Sequence, residues 1–496
     1  MAGRSRTFKA AVLASGNAAT ALVTLLLAAV LSRHFDKVDY ATYRQTLLAY
    51  KFAAPLLTLG LPAALYYFLP SEKSRSRAIL LENLMLLGMT GLAFSLFLAL
   101  GGNVLIAQWF SNPELEKTLL VFALYPALFL PATAVSATLV VREKMSWLFL
   151  HTVGTRLLRL GLVLAAIWFF PGSPLAVVGA TTVSGAVVFA SAIFLMLRAV
   201  KRGNQWRPSR SGVWLQLKYA VPLGLAAMLE TLALGIDQVL VSMLCSPERY
   251  AVYVNGAMEI PFLRVVTAAA TAVILPDLVA LYKEGKMKEA VGLWQSSARK
   301  VSLLLLPVGG ALFVTAPELM TLLYSADYQE SARPFRIYLL LLPARLIYFG
   351  AIFQAAGRTD LVLKRAVGTL ILNTVVSYPL VYYFGIEGAA WGTVLVFWLY
   401  VIPYCIRLCA RLLETRWPGL MPYRYVGVLL LAVAGSGAAS LWVRHEAGPN
   451  GAILAFVLTL ASYFLVLAPF LFLLCREDLK SYWRAIRRRL RRGSHS

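Results

Sequence analysis

Six basic and six acidic side chains sit in stretches that are otherwise apolar: Arg44, Lys51, Arg156, Arg159, Arg264 and Arg345 against Glu82, Glu230, Asp237, Glu259, Asp277 and Glu318. Charge in such surroundings is expensive, so each one points to a partner or a task. Guanidinium and ammonium groups can hold phosphate oxygens, arginine through two parallel N–H donors. A carboxylate in low dielectric keeps its proton unless paired, so it can take up and release a proton or a sodium ion. Spacing sorts the set. Arg44 and Lys51 are seven apart, as are Glu230 and Asp237, so each pair shares a helix face. Arg156 and Arg159 are three apart and share one too. Rise per residue puts Arg156 about 15 Å into its span, and Arg264, Glu230 and Arg345 also near mid-depth. Lys51, Asp237 and Arg44 fall toward the outer side. Glu82, Asp277 and Glu318 lie near span ends, where side chains reach the interface. The bases read as an anion site, and Glu230, Asp237 and Glu259 as coupling-ion candidates. Mutual pairing of the bases with those three acids is the alternative reading.

The elements that carry these residues are membrane helices. Of 496 residues, 59% are hydrophobic and 14% charged, where a soluble domain carries about 25% charged. That excludes a soluble enzyme and a disordered polycation. About fourteen apolar runs between residues 11 and 475 are long enough to cross ~30 Å of hydrocarbon, with Pro55, Pro126, Pro131, Pro222 and Pro307 expected to kink their helices. The run at 11–32 follows Arg4, Arg6 and Lys9 and reads as an uncleaved first span. Alternate connections carry +26 on one side and −2 on the other, within a net charge of +24. The positive-inside rule then places both termini in the cytoplasm. The tail repeats Leu479, Tyr482, Trp483, Ile486 and Leu490 at helical spacing among arginines, which suits a helix lying on anionic inner-leaflet lipid. The excess of base is therefore a topology signal, and no nucleic-acid partner is implied. Cys405 and Cys409 lie one turn apart but have no His or further Cys nearby, so they read as packing residues and no metal is expected.

The chain repeats itself. Asp39–Tyr43 resembles Arg249–Tyr253 at an offset of 210, and Leu61–Pro62, Phe110–Ser111 and Val153–Thr155 each find a counterpart 214 residues on. A unit of six spans enters the membrane the same way twice, which gives parallel repeats with a site at their interface. The expected organisation is a first lobe at 1–198, a basic linker at 199–218, a second lobe at 219–413, two further spans at 414–475 and a basic amphipathic tail at 476–496.

Two six-helix lobes with two extra helices resemble the multidrug/oligosaccharidyl-lipid/polysaccharide exporter superfamily, in its polysaccharide-transport branch of Wzx-type oligosaccharide flippases. The stretches Leu306–Gly310, Ala316–Ser325 and Ala355–Arg358 are similar to that family's second lobe; Tyr40–Tyr43 and Leu59–Ala63 resemble its first. The resemblance implies an all-α polytopic fold, no cofactor and no catalytic residue. It also implies a cavity bordered by the first, second, seventh and eighth spans. There Arg44, Lys51, Arg264 and Arg345, with Arg156 and Arg159, would meet an undecaprenyl-pyrophosphate-linked oligosaccharide. Tyr66, Tyr67, Tyr253, Tyr348 and Phe353 are candidates for stacking on sugars. Implied partners are that lipid, anionic inner-leaflet lipids and polysaccharide polymerase or assembly proteins, in the bacterial cytoplasmic membrane. Alternatives are the lipid II flippase, a drug/proton antiporter and a membrane polysaccharide polymerase. The last is disfavoured by short outer loops and by isolated histidines with no clustered acids.

Overall fold

A computed structural model describes residues 2–201, 205–257, 261–346, 348–358, 360–446 and 451–493. It is 88% helical, with no strand among the described residues. In chain order the helices are α1 (Ala2–His34), α2 (Lys37–Thr58), α3 (Leu61–Ser71), α4 (Ser76–Phe97), α5 (Asn103–Trp109), α6 (Leu115–Phe122) and α7 (Leu124–Ala132). Next come α8 (Ala134–Val141), α9 (Met145–Phe169), α10 (Pro174–Ala199), α11 (Arg210–Leu244), α12 (Pro247–Gly256), α13 (Pro261–Lys283) and α14 (Met287–Val314). The rest are α15 (Ala316–Leu323), α16 (Ala332–Leu339), α17 (Gly350–Ala355), α18 (Asp360–Val396), α19 (Ile402–Leu412), α20 (Tyr423–Glu446) and α21 (Ala452–Gly493).

Local chemistry sets these boundaries. Asp36 caps α2 by accepting the Asp39 amide, Ser209 caps α11 through Gly212, and Ser246 caps α12 through Arg249. Pro247 stands in the first turn of α12, where its missing N–H costs nothing. Beyond Pro55, α2 ends in two left-handed residues, Leu59 and Gly60, and α3 restarts at once. The α11 helix begins at Arg210, so Gly212 and Lys218 of the basic segment are already helical.

The chain divides into two compact units, Met1–Val265 with Arg358–Val401, and Val266–Gly357 with Ile402–Ser496. The first is centred on Leu61, Leu65, Phe68, Leu80, Leu87, Leu139 and Met196, all buried. Lipid tails are as apolar as leucine, so close backbone approach and hydrogen bonds must hold such helices together. Gly60 supplies the approach: its φ is +71°, and a Cβ there would stand 2.5 Å from the Ala220 carbonyl of α11. The second unit packs α14, α20 and α21 around Ala311, Val314, Ala432, Tyr463 and Leu467. In it, the Tyr463 hydroxyl donates to the Pro307 carbonyl at 2.9 Å.

The expected count of fourteen spans is not confirmed: among the described residues ten helices are long and apolar enough to cross, or eleven if the bent pair Ala326–Leu339 and Leu342–Ala355 counts as one span. Ala19–His34 of α1 is a shorter apolar helix. The runs at 366–384 and 389–406 lie on either side of a backbone break at Gly385, φ 59°, within the stretch Asp360–Leu412 that counts as a single span by length.

Candidate functional site

Near the start of α2 a polar cluster joins three helices of the first unit. The Tyr40 hydroxyl donates to Asn255 of α12 at 2.6 Å, and Arg44 donates to Tyr40 at 3.0 Å. One turn on, Gln45 donates to Ser242 of α11 at 2.8 Å and accepts from Asn112 at 2.7 Å. Tyr40, Gln45 and Asn255 are buried. Each neutral bond of this kind contributes about 1 kcal/mol. Further along α2, Lys51 is exposed and donates to Gln238 at 3.3 Å.

The acids of α11 are already engaged. Asp237 is buried and accepts the Tyr253 hydroxyl of α12. Glu230, with its side chain 48% exposed, faces Arg365 of α18 at 3.7 Å. The base that Glu230 faces, Arg365, is not one of the six that the sequence singled out. Glu259 lies outside the described residues, and Arg264 is described only by its place in α13. Arg345 ends a short 3-10 turn, Leu342–Arg345, in the second unit.

Arg156 and Arg159 sit elsewhere. They line a cavity of about 170 Å³ between α7, α8, α9 and α10, together with Tyr125, His151 and Thr155. Arg159 donates to Tyr43 at 3.1 Å. Of the described basic candidates, this pair lines the cavity.

Two expectations about charge fail. Glu82 is not interfacial: it is fully buried, and its carboxylate accepts from Arg75 at 3.1 Å, the Ser209 amide at 2.8 Å and Gln216 at 2.9 Å. Gly212 makes this possible, because any Cβ there would collide with the Glu82 carboxylate and Arg75. Glu318 is also buried, in an ion pair with Arg444 of α20. Both lie near span ends, but packed neighbours take the place of water. Asp277 is exposed, as its position suggests.

The aromatic candidates divide in the same way. Tyr253 and Phe353 are fully buried. Tyr66 and Tyr67 are exposed, and Tyr67 stacks on Tyr219 at 4.9 Å. Sequence reasoning missed two exposed aromatic triplets: Trp168, Phe169 and Phe170 where α9 ends, and Tyr382, Tyr383 and Phe384 just before the Gly385 break. They are 214 residues apart, the offset of the internal repeat, which would have found them. Trp and Tyr at span ends suit a membrane interface.

Residues 8–281 match a family profile described as polysaccharide biosynthesis protein. No curated protein sequence matches the chain. Among solved structures, the lipid II flippase MurJ in an inward closed conformation aligns over 95% of this chain and 100% of its own, with TM-score 0.74 and 13% identity. An inward-facing multidrug resistance MATE family transporter of the MOP superfamily aligns over 80% of this chain and 96% of its own, with TM-score 0.61 and 17% identity. A MOP superfamily transporter from Pyrococcus furiosus, described as having a binding pocket of reversed polarity, covers 82% of this chain and 94% of its own, with TM-score 0.55 and 15% identity.

Proposed function

Because the chain belongs to the polysaccharide biosynthesis protein family and has the fold of the MOP superfamily, we propose that it is a flippase for an undecaprenyl-pyrophosphate-linked oligosaccharide. The observation that carries this reading is the family match itself. It covers the stretch in which Arg44, Lys51, Arg156 and Arg159 stand in otherwise apolar helices. The glycan head would pass through the protein while the polyprenyl tail stays in lipid. Arg44, Lys51, Arg264 and Arg345 would meet the pyrophosphate, since arginine matches phosphate oxygens through paired donors.

Movement would alternate between the lobes at 1–198 and 219–413, joined by the linker at 199–218, with 414–475 and the tail at 476–496 as accessory segments. In that scheme the Tyr40–Asn255 and Gln45–Ser242 bonds are a closed gate on the outer side. Opening it would break them at a cost of about 1 kcal/mol each. Glu230, Asp237 and Glu259 are the groups proposed to couple the cycle to a proton or sodium gradient. The protein would reside in the bacterial cytoplasmic membrane, both termini inside, beside a polymerase that consumes its product.

The direct test is accumulation of lipid-linked glycan on the inner leaflet when Lys51→Ala or Arg264→Ala replaces the wild type. Normal export by both variants would sink the assignment of these bases. Lipid II is the second reading, favoured by the likeness to a protein named for that cargo. Rescue of cells depleted of their own lipid II flippase would select it, and failure there with restored export of a glycan repeat unit would select the first.

A further inference from the structure

The cavity between α7, α8, α9 and α10 has an unbalanced lining. Arg156 and Arg159 enter it from α9, and none of the residues that line it is Asp or Glu. The Tyr43 hydroxyl accepts one N–H of Arg159, but the Nε–H of Arg159 is buried with no hydrogen-bond partner. Two guanidiniums three residues apart on one helix are like charges on one face. Buried charge of one sign is costly until an opposite charge joins it. Thr155 and Ser184 have spent their hydroxyl protons on backbone carbonyls, while Tyr125, Ser136 and Thr152 add further hydroxyls to the lining. At about 170 Å³, the space far exceeds the ~15 Å³ one water needs.

We propose that this cavity is a phosphate-binding site of its own, in which Arg156 and Arg159 hold the oxyanion with the help of the lining hydroxyls. The fork of arginine N–H donors suits tetrahedral oxyanions better than halide. The phosphate can belong to a lipid headgroup or be free in solution. The site deepens the reading of a pyrophosphate-bearing cargo, but it is tested by binding and not by transport.

The test is thermal melting of the purified full-length protein in detergent. One arm titrates sodium phosphate against sodium chloride at equal ionic strength. The other titrates phosphatidic acid against phosphatidylcholine in mixed micelles. A saturable rise in Tm in either arm is expected, and the responding arm names the source. Arg156→Gln, which leaves the Arg159–Tyr43 bond untouched, should weaken the apparent affinity by about tenfold or more. If Arg156→Gln does not fold, Arg156→Lys keeps the charge without the fork and should weaken binding as well. No response in either arm, or a folded variant responding as wild type does, overturns the site. Binding that persists while glycan export fails in cells would remove the flippase reading alone.

Discussion

Glu82 shows what a charge within an apolar helix requires. Its carboxylate is fully buried, and donors from Arg75, Ser209 and Gln216 surround it. Removing it takes the shared acceptor from these donors at a cost of about 1–3 kcal/mol, while Arg75 keeps its pair with Glu72. Glu82→Ala should therefore lower the melting temperature sharply in detergent. Glu82→Gln keeps an acceptor and should lower it less; equal losses would show that charge, not shape, matters there. A milder change belongs to Tyr40, which gives one hydroxyl proton to Asn255 and accepts one from Arg44. Tyr40→Phe removes both bonds but leaves the ring. It should free the α2–α12 contact by about 1 kcal/mol, readable as faster alkylation of a cysteine placed at the buried Ala251 of α12. Unchanged alkylation would mean that these bonds do not hold the helices together.

At the scale of the element, α2 and α3 form one bent rod, and the bend at Leu59–Gly60 is where α11 comes closest. A Cβ on Gly224 would run into the backbone of Leu59 and Gly60, which has no side chain to move aside. Gly224→Val should cost about 1–3 kcal/mol through overpacking. Gly435→Ala in α20 meets nothing within 4 Å and should be neutral or stabilising by roughly 0.5–1 kcal/mol, since Ala gives up less entropy in a helix than Gly. Melting curves of the two variants side by side check this contrast. The capped starts of α2 and α12 show the repeat in local form. Asp36 and Ser246 stand 210 apart, and each accepts the amide three residues on. Tyr40 and Tyr250, one turn beyond, are both buried.

For the whole molecule, the uneven distribution of charge predicts that both termini face the cytoplasm. A fluorescent protein at the C-terminus should glow and an alkaline phosphatase there should stay inactive; the reverse would invert every loop assignment. The apolar runs, the helical class and the family were legible in the sequence. Hydrophobicity at helical length admits only helices in lipid, where each backbone group must bond within its own segment. The Gly385 break was legible as the gap between the apolar runs at 366–384 and 389–406; the exact span count was not. Nor was the partnering of charges. Seven-residue spacing correctly put Arg44 and Lys51 on one helix, but nothing along the chain says that Asn255 answers Tyr40 or that Gln238 answers Lys51. Arg156 and Arg159 look in the sequence like members of the same basic set as Arg44, but packing of α7 to α10 gives them a cavity of their own. The sequence by itself determined that this chain folds in a membrane, because that depends on composition summed over a helix. Only the tertiary structure decided which charges meet, because that depends on residues far apart in the chain being brought within about 3 Å.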